Sequence, residues 1–168
     1  VTLRLILTRH AKSDWSTPGA PDHDRPLNAR GRRQAPVVGQ WLASRRDTPA
    51  RILCSDATRT QQTLDLILPT LGGAPDIALL PALYHADPDT ILALIRAELV
   101  PTLMVIGHNP GLAECAQRLC HTAPAHPRFA DFPTAATAVL DFTEDSWSQI
   151  DWGRASLRDF VTPDDLED

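Results

Sequence analysis

Apolar and polar positions alternate through Thr2 to Thr8, a stretch rich in Leu and Ile, and predict a first β-strand. A loop bearing Pro, Asp and Gly follows over residues 10 to 28. It ends at Asn28, a side chain suited to cap a helix over Ala29 to Ser44, with a kink expected at the internal Pro36. Arg51 to Ser55 predicts a second strand. Next comes a helix from about Ala57 to Leu71, with Leu64, Ile67, Leu68 and Leu71 on one face and Gly72-Gly73 ending it. A short strand at Ile77 to Leu80 precedes a helix capped by Asp87, with Pro88 at its first position, running to about Glu98. Leu103-Met104-Val105-Ile106 is the clearest buried strand; it leads into Gly107-His108-Asn109-Pro110-Gly111 and a helix to about Cys120. Residues 121 to 133 predict a surface loop and Thr134 to Phe142 a strand. Gln149 to Phe160 would return beside that strand as an edge hairpin, with a frayed acidic tail beyond.

Strands alternating with helices argue for a three-layer α/β/α sandwich around a mostly parallel central sheet, closed by an antiparallel edge element. The 168 residues suit one domain, taken as residues 1 to 168. Composition agrees, with 43% hydrophobic and 22% charged residues, as in an ordinary globular chain. A formal charge of −5, with little Lys and with Arg scattered along the chain, argues against a nucleic-acid partner, which needs a basic face. No apolar run approaches the roughly 20 residues of a membrane span, and Val1 to Leu7 reads as a strand rather than a targeting signal. Cys54, Cys115 and Cys120 cannot all pair within the chain and form no CxxC motif, so reduced thiols and a cytoplasmic location are expected.

In sheets of this kind ligands bind beyond the carboxyl ends of the strands. Arg9 and His10 follow the first strand, Arg59 comes just after the second, and His108 follows the Val105-Ile106 strand. Each alone has an ordinary explanation as a surface ion pair or a satisfied polar residue. Their convergence at one sheet edge, with no acidic cluster beside them, predicts an anion pocket whose donors suit phosphoryl oxygens.

These residues stand in runs that resemble the histidine phosphatase superfamily, in the form found in small SixA-type phosphohistidine phosphatases. The runs are Leu7-Thr8-Arg9-His10-Ala11-Lys12-Ser13, Asp24-Arg25-Pro26-Leu27 with Gly31, Ser55-Asp56-Ala57-Thr58-Arg59 with Thr63, Gly107-His108-Asn109-Pro110-Gly111, and Phe132-Pro133-Thr134. The resemblance spans about positions 3 to 142 and implies a phosphoglycerate mutase-like fold. It also implies that His10 is a nucleophile taking the phosphoryl group, while Arg9, Arg59 and His108 hold its oxygens. Neutral imidazole is a competent nucleophile near neutral pH, and guanidinium groups stay charged as the transition state forms. Three positive groups would leave no need for a metal or other cofactor. Ser13, Arg25, Tyr84 and His85 are candidates for binding substrate. Arg25 either contacts the phosphate or substrate or anchors its loop, and His85 takes either a catalytic role or a place at the rim.

Mutase-like members of this superfamily place a leaving-group acid where this chain has Leu83-Tyr84-His85-Ala86, a stretch with no Glu or Asp. Asp14, Asp22, Asp24, Asp87 or His85 could reach the leaving group from a loop, although Asp87 more simply caps its helix. An alkoxide leaves poorly without a proton, whereas the imidazole of phosphohistidine, with a conjugate-acid pKa of about 6.5, leaves readily. The expected substrate is therefore a phosphorylated protein carrying phosphohistidine, the connections between motifs being too short to lid a small metabolite. A small phosphate ester is the alternative, and a non-catalytic phosphate- or phosphohistidine-binding module is the alternative of another class. Cysteine-dependent phosphatases use a Cys-x5-Arg loop, whereas four residues separate Cys54 from Arg59. Cys115, Cys120 and His121 lack a zinc spacing.

Overall fold

In the computed structural model, which describes residues 2–167, six strands form one sheet in the order β3-β2-β4-β1-β5-β6. They are β1 (Leu3–Arg9), β2 (Arg51–Ser55), β3 (Asp76–Leu80), β4 (Thr102–Gly107), β5 (Thr137–Phe142) and β6 (Ser156–Val161). The first four strands are parallel, and β5 runs antiparallel to both β1 and β6. The α/β sandwich expected from the alternation is thus present, with its antiparallel element at the β5-β6 edge. Val1, where the expected first apolar stretch begins, lies outside the described residues.

Helices cover both faces, which is why the central strands read as continuous apolar runs instead of alternating cleanly. On one face Ile6, Ile52, Met104 and Ile106 pack against α1 (Ala29–Ser44) and α2 (Thr58–Leu71) through Val38, Leu42, Leu64 and Ile67. On the other, Leu5, Leu7, Leu53, Leu103 and Val105 meet α3 (Pro88–Arg96) and α4 (Gly111–Leu119) through Ile91, Ile95, Leu112 and Leu119. The caps act as expected: the Asn28 side chain accepts from the Gly31 N–H, and the Asp87 side chain from the Thr90 N–H. α1 runs as one helix through Pro36.

Three expectations need correction. The strand returning beside β5 is β6, which begins at Ser156 rather than Gln149, the latter lying in a short 3-10 turn, Trp147–Gln149. β5 starts at Thr137 rather than Thr134, because Phe132 and Ala135 take positive φ angles of 48° and 63° and fold the preceding segment into a tight turn. That turn grips the site, since the Ala135 N–H donates to the carbonyls of Arg9 and His10. The acidic tail up to Glu167 is also not frayed, and Asp168 lies outside the described residues. Pro163–Leu166 forms a short helix, α5, started by a capping box between Thr162 and Asp165 and tied back by Gln34 to Glu167 and His126 to Asp165 hydrogen bonds.

Candidate active site

Parallel register puts the key residues side by side. Arg9 of β1 pairs with Gly107 of β4, so the next residues, His10 and His108, leave the sheet together, with ring centroids 5.4 Å apart. Two glycines hold the surrounding loops close. A Cβ on Gly31 would lie 2.3 Å from the Lys12 carbonyl oxygen, and one on Gly111 would lie 1.8 Å from that of Ala86. Only glycine lets α1 press on the segment after β1 and α4 press on the loop carrying His85.

His10 is 6% exposed, and its Nδ1 lies 2.7 Å from the Ala11 carbonyl oxygen. A carbonyl can only accept, which assigns the ring proton to Nδ1 and leaves the Nε2 lone pair free. Ala11 is itself held by its N–H donating to Thr63 Oγ1, which accounts for the threonine in the Arg59-to-Thr63 run. His108 has one nitrogen against Ser55 Oγ at 2.8 Å and the other 3.3 Å from Arg59 Nη2. Arg59 can only donate, so His108 Nδ1 accepts and its Nε2–H points to Ser55. The sequence assigns Ser55 no role of its own; the structure makes it the residue that orients His108.

Burial foremost, with Arg9 and Arg59 adding to it, pushes the His10 imidazole down to about 3 against the opposing pull of Ala11 and Asp22. Burial also leads for His108, helped by His10, Arg59 and His85, and takes it to about 3 as well. Both rings are therefore neutral at physiological pH. The expected three positive groups reduce to two guanidinium groups in this structure, because a ring this buried does not keep a proton. Stability follows with a definite sign. Between about 3 and the unfolded value of about 6.5 the unfolded chain holds protons that the folded one lacks. The contribution is complete above pH 6.5 and is lost as pH falls towards 3, at up to about 1.4 kcal/mol per pH unit for each histidine. Urea unfolding at pH 7 and pH 5 should register the loss, and His10→Gln should flatten the dependence by about one proton. Equal stability at the two pH values would contradict it.

Arg59 is 4% exposed and its fork is already engaged, with Nη1 on the Asp22 carbonyl at 2.7 Å and Nη2 on Asp22 Oδ2 at 3.0 Å. The carboxylate of Asp22 also accepts from Arg25, His85 and the Tyr84 hydroxyl. Hydrogen bonds from His85 first, and then from Tyr84 and Arg59, hold it well below the usual carboxylate range. One carboxylate, that of Asp22, therefore stands beside the cations, and it is one of the loop acids that the sequence left within reach of the leaving group. Asp22 is brought in by a short 3-10 turn, Asp22–Asp24, deep within a long loop, so the sequence could not single it out from Asp14 and Asp24.

The remaining candidates divide. Ser13 is buried in the wall of a cavity of about 300 Å³ that also holds Arg9, His10, Asp22, Arg59 and His108. His85 sits at its rim, half exposed, with φ at 51° and its ring stacked on His108 at 5.1 Å. Tyr84 stands behind Asp22, outside the cavity lining. Arg25 anchors its loop: its guanidinium lies 3.3 Å from the Trp15 ring centroid and bonds Asp22 at 2.9 Å. Trp15 itself, 69% exposed at the cavity mouth, was not singled out from the sequence, although a Trp in a polar loop was a signal. Cys54 is a buried strand residue whose thiol burial pushes up to about 12. Among the described residues no group of three or more His, Cys, Asp or Glu side chains is arranged to hold a metal ion.

Residues 5–87 match the family model described as histidine phosphatase superfamily (branch 1). An uncharacterized protein of Mycobacterium tuberculosis is 35% identical over 162 residues, covering 92% of this chain and 99% of the relative. Phosphohistidine phosphatase SixA of Escherichia coli is 26% identical over 156 residues, covering 89% and 92%. A solved structure of the SixA protein of Agrobacterium tumefaciens superposes with a TM-score of 0.78 at 33% identity, covering 96% of this chain and 98% of that one.

Proposed function

The chain belongs to the histidine phosphatase superfamily, among its SixA-type members, and on that premise we propose that it dephosphorylates phosphohistidine in proteins with His10 as the nucleophile. The Nε2 lone pair of His10 attacks phosphorus as the bond to the substrate ring breaks; that ring, carrying a proton on its other nitrogen, departs with the bonding electrons as neutral imidazole, while phospho-His10 keeps its Nδ1 proton. Water then attacks phospho-His10, releasing inorganic phosphate and restoring the neutral ring. Arg9 and Arg59 neutralise the oxygens throughout. Arg9 is suited to this, since its Nε is buried with no partner among the described residues. His108 stands beside them as a neutral ring, oriented by Ser55 and Arg59.

The observation that carries the substrate reading is Asp22. It is the one carboxylate among the described residues lining the cavity, and its hydrogen bonds keep it ionised, so it has no proton to give an alkoxide. A leaving group that needs no acid fits such a site. Trp15, exposed at the mouth, supports a substrate presented on a protein surface, where an exposed indole is a common anchor. The proposal takes residues 1 to 168 as one catalytic unit. It places the protein in the cytoplasm, a reading supported by three buried cysteines that are unpaired. No helix among the described residues is long and apolar enough to cross a membrane.

A substrate panel at neutral pH tests the reading. A phosphohistidine peptide should turn over at least about a hundredfold faster than a sugar phosphate, the difference an absent general acid makes. Asp22→Asn should stay within about tenfold of the parent on the peptide, because the carboxylate donates no proton. Equal rates on the sugar phosphate, or loss of ester hydrolysis alone in Asp22→Asn, would favour the small-ester reading.

A further inference from the structure

Beside the phosphoryl cavity lies a second, polar cavity of about 440 Å³, and the two share Arg9, Lys12 and Thr134 as a common wall. Arg30, from the first turn of α1, and Arg128, from the loop before β5, complete its cationic lining. Against these four cations stand two carboxylates, Asp131 and Asp164. Their hold on the cleft is weak. Arg128 meets Asp131 at 2.9 Å and Arg30 meets Asp164 at 3.6 Å, all four side chains being largely exposed, where such pairs contribute little.

Lys12 is the feature that gives the cleft a purpose. It is the only lysine in the chain, on a protein whose net charge is −5. It stands two residues from His10, exposed, and none of the ion pairs among the described residues includes it. Its backbone is fixed: the carbonyl accepts from the Asn28 N–H at 2.9 Å, and the contact with Gly31 presses α1 against it. A single flexible ammonium is thereby held at the junction of the two cavities. Since Arg9 is shared and Arg59 is committed to Asp22, Lys12 and Arg30 are left to meet a second negative group.

We propose that this cleft is a second anion subsite that reads acidic side chains flanking the phosphohistidine of a protein substrate. The inference rests on the function proposed above and adds the substrate's sequence context. A peptide fits better than a small dianion, because the cations are spread over three segments, the one after β1, the start of α1 and the loop before β5. Such spacing suits an extended chain carrying several carboxylates. The positive cleft would also steer an acidic partner to a protein that otherwise repels it.

The test needs no phosphoryl group, so its result stands whatever the substrate panel gives. An unphosphorylated glutamate-rich peptide and its glutamine counterpart are titrated calorimetrically into the wild-type protein and into Lys12→Gln/Arg30→Gln. Inorganic diphosphate is titrated in parallel, and thermal melting confirms that the variant folds. In low salt the glutamate peptide should bind wild-type protein about tenfold more tightly than the glutamine peptide. The advantage should fall to about twofold in the variant and in high salt, as expected for exposed charge pairs. Equal affinity for the two peptides, an advantage that survives in the variant, or sensitivity of diphosphate binding alone to the substitutions would overturn the proposal.

Discussion

His10→Ala is expected to reduce turnover of phosphohistidine by about 10⁴-fold or more, to the level that binding and the remaining cations sustain on their own. Folding should survive, because the ring makes one hydrogen bond, to the adjacent Ala11 carbonyl, and its removal also takes away a buried group that resists protonation. The backbone around it is held independently by the Ala135 N–H and the Gly107 carbonyl. Activity assays alongside thermal melting distinguish the outcomes. Wild-type melting with no turnover is the expected pair, and substantial turnover in the variant would remove His10 from the chemistry.

Arg59→Ala should cost about 10²- to 10³-fold, the usual effect of deleting one preorganised donor from a site that gathers charge in the transition state. A second readout separates an electrostatic role from a packing one. Arg59 helps to depress both histidines, so its loss should make each easier to protonate and move the acid limb of the pH-rate profile upwards. Asp22 keeps Arg25, Tyr84 and His85 as partners, which should limit the loss of stability. A large fall in melting temperature with turnover intact would contradict the assignment.

Much of this site was legible because its residues stand directly after strands that declare themselves. β1, β2 and β4 are buried on both faces and their apolar runs are unambiguous, so the residues after them could be placed at one sheet edge, although the Arg9-to-Gly107 register itself comes from the structure. Caps were legible too, since Asn28 and Asp87 act on N–H groups three residues away. What was hidden depends on contacts distant in sequence. The loop after His10 folds back through the Asp14 N–H to Pro26 carbonyl bond and the Ser13-to-Leu27 bridge, and this closure is what delivers Asp22 to Arg59. The charge of His108 could not be read from its type, because burial decides it. Nor could the parting of Tyr84 from His85, adjacent in the chain, with one behind Asp22 and the other at the rim.

The central claim is that the phosphoryl group passes through His10. It is tested most directly by rapidly quenching the enzyme during turnover of a phosphohistidine peptide and locating the label by mass spectrometry. The account predicts an acid-labile, alkali-stable phosphoryl group on His10, absent from His10→Ala. Turnover without any phosphoenzyme, or a label on another residue, would contradict it.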